Sequence, residues 1–118
     1  MTRKNILCVI QQPPYLGNRI FEALDAMLVA AAFEQRVSLL FRGEGVVALM
    51  ANQAPRNQRN LGKMLLSLDT YEIDHVYVDA AALASRRIGP ADCVIEARAI
   101  SDQEIGKLIN TQDMVWHD

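Results

Sequence analysis

Asn5 is followed by an unbroken apolar run of strand-forming residues, Ile6-Leu7-Cys8-Val9-Ile10. A strand with one wet face alternates apolar and polar residues. A run with no polar break needs cover on both faces, as inside a parallel sheet clad by helices. That requirement sets the frame for the rest of the chain. The run stops at Gln11-Gln12-Pro13-Pro14, because proline cannot donate to a ladder. Past Gly17, Asn18 is placed to cap a helix in which Ile20, Phe21, Leu24, Met27, Leu28 and Ala31 recur at intervals of three and four. Arg36 to Phe41 repeats the buried-strand pattern and is stopped by Gly43 and Gly45, after which Val46 to Met50 is expected to begin a short helix.

Asn52 to Asn60 is polar and is the stretch with the weakest ordering signals. Leu61, Met64, Leu65 and Leu68 resume helical spacing as far as Asp69, although Gly62 costs about 1 kcal/mol relative to alanine. His75 to Val78 predicts a third strand and Ala80 to Ser85 a short alanine-rich helix. After the Gly89-Pro90 break, Val94 to Ala97 predicts a fourth strand. Ser101-Asp102-Gln103-Glu104 has capping-box spacing, in which serine and glutamate each satisfy a free amide at a helix start. The helix it opens turns Ile105, Leu108 and Ile109 inward and leads to a last strand at Asp113 to Trp116. Alternation of this kind with right-handed crossovers predicts a single-domain α/β chain over residues 1–118. The expected architecture is a flavodoxin-like three-layer sandwich with a parallel sheet of about five strands.

Composition narrows the function classes. With 51% hydrophobic and 22% charged residues, the 118-residue chain has the balance of a packed globular domain. The net charge of -2 arises from intermixed signs without a basic block, which argues against direct nucleic-acid binding through many phosphates. The first apolar run ends without a small-residue cleavage site, so it reads as a strand and not a signal peptide. No stretch approaches the ~20 apolar residues of a membrane span. Cys8 and Cys93 form neither a disulfide framework nor a Cys-x-x-Cys pair. These features make the cytoplasm the expected compartment.

Several segments then carry a resemblance to a family. Leu24-Asp25-Ala26-Met27-Leu28, Gly43-Glu44-Gly45-Val46, Gln53-Ala54-Pro55, Leu65 to Ile73, and Val78 to Leu83 followed by Arg86-Arg87 occur in order over nearly the whole chain. In this the chain resembles the TusC/DsrF branch of the DsrE-like sulfur-relay proteins. The resemblance implies a heterohexamer with TusB/DsrH-like and TusD/DsrE-like subunits that passes persulfide sulfur between small carrier proteins. The relay leads to 2-thiouridine in transfer RNA or, in the Dsr system, to sulfur oxidation. In the TusD-like subunit the active cysteine ends the third strand, just before an alanine-rich helix. Here Val78 occupies that place, and valine cannot carry sulfur. The resemblance therefore implies a non-catalytic subunit, with no cofactor of its own.

Each chemistry-bearing residue has a plainer reading beside the functional one. Cys8, inside the first apolar run, reads as a small buried hydrophobe. Cys93 is the only alternative sulfur carrier, but its acidic neighbour Asp92 would raise a thiol pKa. Asp79 stands where a receiver domain keeps its phosphoacceptor. Gln11 and Gln12 replace the acidic pair such a domain needs, so a helix N-cap is expected instead. Gly43-Glu44-Gly45 could form an anion nest, as a phosphate-binding signalling domain would require, yet it lacks the phosphate-loop patterns and reads as a turn. His75 and His117 have no ligand partners at metal spacing. Glu22 and Asp25 share one edge of the first helix, and within the family-like segment Asp25 is a candidate partner contact. Arg86 and Arg87 are candidates for guiding an acidic carrier protein. Tyr15, Leu16 and Tyr71 either cap the core of a monomer or form the centre of a subunit interface.

Overall fold

Residues 3–14, 17–50 and 61–118 are described by the structure, a computed structural model of the chain. The strands are β1 (Asn5–Ile10), β2 (Arg36–Phe41), β3 (His75–Asp79), β4 (Arg98–Ile100) and β5 (Met114–His117). Between them run α1 (Arg19–Ala32), α2 (Leu61–Leu66), α3 (Ala80–Ser85) and α4 (Asp102–Asn110). Every strand pair is parallel, in the order β4-β3-β2-β1-β5. The chain steps outward from β1 to β4 and then crosses back to the far side of β1. Because each crossover is right-handed, this reversal puts α4 on the opposite face from the earlier helices.

Side-chain alternation explains the apolar runs. On one face, Ile6, Cys8 and Ile10 of β1 pack with Val37, Leu39 and Phe41 of β2, Val76 and Val78 of β3, and the inner sides of α1 and α2. On the other, Leu7, Val9 and Leu40 meet Ile105 of α4, with Leu108, Ile109, Tyr77 and Val115 around them. Both faces of β1 are dry, as its composition requires. The structure thus has the expected three layers and five parallel strands.

Boundaries differ where packing overrides local pattern. The helix expected from Val46 is a 3-10 stretch over Gly43–Leu49. The helix expected to run to Asp69 is α-helical only to Leu66 and continues as 3-10 turns over Ser67–Tyr71. Asn18 holds the N-cap position of α1, but its side chain makes no capping bond. The fourth strand lies not at Val94 to Ala97 but at Arg98–Ile100. Val94, Ile95 and Ala97 all pack on the same cluster, which a strand of period two cannot allow for neighbours. The last strand is shifted by one residue, because the Asp113 carboxylate accepts the Asn5 amide at 2.7 Å and so acts as its start. Tyr15, Leu16 and the polar segment 52–60, including Gln53-Ala54-Pro55, lie outside the described residues.

The capping box at α4 forms as its spacing requires. Ser101 Oγ accepts the Glu104 amide at 3.2 Å, and Glu104 Oε1 accepts the Ser101 amide at 3.1 Å. Asp79 caps α3, accepting the Ala81 amide at 3.0 Å.

Candidate functional site

Val78, singled out by the family resemblance, lies near the end of β3. Val78 pairs with Phe41 across the sheet and is buried in the larger core cluster. Its branched side chain fills space between sheet and helices and brings no acid, base or nucleophile. The next residue, Asp79, points its carboxylate back to the Ala81 amide and so serves the helix start.

Both thiols sit in surroundings that disfavour the thiolate. Cys8 is fully buried in the middle of β1, and its thiol is pushed up to about 12, by burial first and by the Asp118 carboxylate second. Cys93 is half-buried at the end of a short 3-10 turn, Pro90–Asp92. That turn is tightly held. Asp92 accepts the Gly89 amide at 2.8 Å, the Cys93 Sγ donates to the Gly89 carbonyl at 3.6 Å, and Val94 donates to Leu49 at 2.7 Å. Burial and then the Asp92 charge raise the Cys93 pKa. A thiol of ordinary pKa is only a few per cent thiolate at neutral pH, and this one is less. Among the described residues no group of three His, Cys, Asp or Glu is placed to hold a metal ion.

A feature that sequence reasoning treated as a plain turn has a stricter cause. A Cβ on Gly45 would stand 2.1 Å from the Ile10 carbonyl oxygen, so the 3-10 stretch crosses the end of β1 at a distance only glycine permits. Gly43 sits at φ +51, a left-handed conformation that glycine also favours. Another missed feature is the clamp on the outer strand β5. The Asp118 carboxylate accepts the Gln11 amide at 2.9 Å and the Gln12 amide at 3.3 Å, while Gln11 Nε2 and His117 Nδ1 lie 3.1 Å apart. No short-range pattern could reveal contacts spanning over a hundred residues.

The described candidate contact residues are dispersed over the surface. Tyr71 is 40% exposed. It lines a groove at the amino ends of the strands, between Arg36, Glu72 and His75. Asp25 is half-buried on α1, and Arg86 and Arg87 are exposed after α3. Neither Asp25 nor the arginine pair lines the Tyr71 groove. Arg87 adopts φ +55, and its amide and that of Ile88 bond back to Ala84 and Leu83. This is the Schellman arrangement, with arginine where glycine is usual. At the end of α1 and its C-cap, residues 26–33 are all apolar, yet Val29 and the C-cap Phe33 are 57% and 70% exposed on the outer side. A helix apolar all round is the mark of one covered on every side. No helix among the described residues is long and apolar enough to cross a membrane.

Comparison with known proteins agrees with this arrangement. The profile of the DsrE/DsrF-like family matches residues 4–116. A protein of Vibrio parahaemolyticus called "Protein TusC homolog" is 35% identical over 86 residues, covering 71% of this chain and 73% of that one. A second of that name, from Pseudomonas aeruginosa, is 29% identical over 114 residues, covering 95% and 96%. The crystal structure of the ychN protein from E. coli superposes with a TM-score of 0.85, covering 99% of this chain and all of that one at 18% identity, a likeness of fold. From the profile match, the relatives and the five-stranded parallel sheet, the chain belongs to the DsrE/DsrF-like family.

Proposed function

We propose that this chain is a non-catalytic subunit of a hetero-oligomeric sulfur-relay complex of the TusBCD/DsrEFH type, acting in the cytoplasm. The single observation that carries the reading is Val78, buried at the end of β3 where a sulfur-carrying sibling would hold its cysteine. Its name-bearing relatives, the TusC homologs, support the assignment to the TusC branch. In this reading residues 1–118 act as one domain. The partners are TusB/DsrH-like and TusD/DsrE-like chains, and the complex exchanges persulfide sulfur with small carrier proteins on the way to 2-thiouridine in transfer RNA. The chain itself does not contact nucleic acid. Its part is to present packing surface and to shape the cleft in which a partner's cysteine works.

Three features support a surface role. The outward apolar side chains of α1, Val29 and Phe33, are the kind of group that subunit contact removes from water. Tyr71 and, outside the described residues, Tyr15 and Leu16 are aromatic or large apolar groups suited to an interface centre. Arg87 is held in a left-handed conformation that glycine would adopt more readily, so its charge accounts for arginine there; with Arg86 it can steer an acidic carrier. Asp25 is placed on the same helix as the apolar ridge.

The test is co-expression with TusB-like and TusD-like chains, native mass determination, and mapping of labelled sulfane sulfur on every subunit during turnover. We expect a stable mixed complex with label on the TusD-like chain and unchanged relay by a Cys93→Ala variant. Recovery as a partnerless monomer, or stoichiometric label on Cys93, would refute the reading.

A further inference from the structure

β4 is shorter than the strand it accompanies. It pairs with β3 only from Tyr77↔Arg98 to Asp79↔Ile100, while β3 begins at His75. Among the described residues nothing pairs with His75 or Val76 on that side, because Val94, Ile95 and Ala97 turn to the core and their segment does not extend the ladder. The amino half of β3 therefore has an outer edge open to a further strand.

Beside this edge lies a groove of about 670 Å³, between α2 with its 3-10 continuation and the 94–97 segment. Leu65, Leu68, Val76 and Ile95 make its wall apolar, and Leu66, 60% exposed, stands at its lip. The polar rim is unbalanced in sign. Among the described residues, Asp69, Asp74 and Glu96 face it against the single cation Arg98. Arg98 is also close enough to Glu104 to help keep that carboxyl ionised, so its charge is shared with a second acid. Asp74 lies 3.6 Å from the His75 imidazole, with both side chains largely exposed.

We propose that this groove receives an extended segment of a partner chain, apolar and bearing lysine or arginine, which adds to the free edge of β3 as a strand. Main-chain bonds to the edge supply attachment, and alternate side chains fill the apolar groove or meet the acidic rim. An anionic partner such as nucleic acid has the wrong sign for this rim, and a helix would leave the strand edge unused. The inference concerns this chain's own surface and stands apart from the relay reading.

The experiment titrates the full chain into a dye-labelled, end-blocked short peptide of alternating valine and lysine, followed by fluorescence anisotropy. We expect saturable binding, roughly tenfold tighter than that of the valine–glutamate counterpart, since two or three exposed charge pairs change sign. Asp74→Lys combined with Glu96→Lys, both at exposed positions, should reverse that preference and leave the thermal melt in place. N-methylation of alternate peptide amides should abolish binding. Equal affinity for both peptides, indifference to the double variant, retained binding of the methylated peptide, or no binding at all would each overturn the proposal. So would a concentration-dependent dimer, seen by sedimentation and abolished by the double variant, because the groove would then hold a second copy of this chain.

Discussion

Replacing Gly45 by alanine would place a methyl carbon 2.1 Å from the Ile10 carbonyl oxygen and 2.6 Å from its carbon. One of the two backbones would have to retreat by roughly 1 Å, and close-packed interiors resist such a shift. Neither is free to do so. Ile10 ends β1, which is hydrogen-bonded to β2 and β5, and its carbonyl accepts the Arg42 amide at 2.9 Å. Gly45 in turn donates to the Arg42 carbonyl at 2.9 Å. Overpacking costs about 1–3 kcal/mol, and disturbing the Arg42 bond adds about 1 kcal/mol. The stiffer unfolded chain of the alanine variant offsets about 0.4–1 kcal/mol. The net loss is therefore about 1–3.5 kcal/mol, near 4 °C of Tm for each kcal/mol in a chain of this size. Urea unfolding followed by circular dichroism reads this as a lower midpoint at unchanged slope. Gly106→Ala is the control, since nothing lies within 4 Å of the added carbon in the middle of α4; it should stabilise by about 0.5–1 kcal/mol. If Gly45→Ala lay within about 0.5 kcal/mol of wild type, the account of why this turn needs glycine would be wrong.

Other consequences follow from named contacts. Iodoacetamide should alkylate Cys93 slowly and leave Cys8 untouched until the chain unfolds, as peptide mass mapping would reveal. The Cys8 pKa rises from 9.0 to about 12 on folding, so the unfolded state loses its proton first; stability should fall between pH 9 and 12, and Cys8→Ala should flatten that limb of a pH–stability curve. Ser101→Ala removes one half of the α4 capping box and should cost about 1 kcal/mol in urea unfolding. The Glu104 carboxyl is held below the usual range, first by the Ser101 amide and then by its hydroxyl. Its contribution is present above the unfolded carboxyl pKa and disappears as pH falls through the folded one, so Glu104→Gln should lessen the acid-side slope. Ile105→Ala should cost about 2–5 kcal/mol, because of the described helices only α4 packs on its face of the sheet. Arg87→Gly should raise stability by about 1 kcal/mol in thermal melts while weakening association with an acidic carrier, since it relieves a left-handed arginine and removes a charge.

Much of the fold was legible because its signals are local. β1, β2 and α3 fall at their expected residues, and the capping box forms as its spacing requires. The family-like segments were legible for the same reason, since each depends on residue identity at a place in the pattern. The misplaced fourth strand marks where such reading stops. Val94 to Ala97 has strand-forming composition, but its neighbours turn to one cluster, and only the finished core shows that side.

Residue order alone determined that this chain must bury strands on both faces, alternate them with helices, and lack a cysteine at the end of its third strand. Those outcomes depend on hydrophobic period and on chemical identity. Tertiary structure decided which faces remain uncovered: the outer ridge of α1, the short reach of β4 beside β3, and the close crossing of Gly45 over Ile10. Such contacts join residues far apart in the chain, and their energies depend on distances that exist only once the layers have packed.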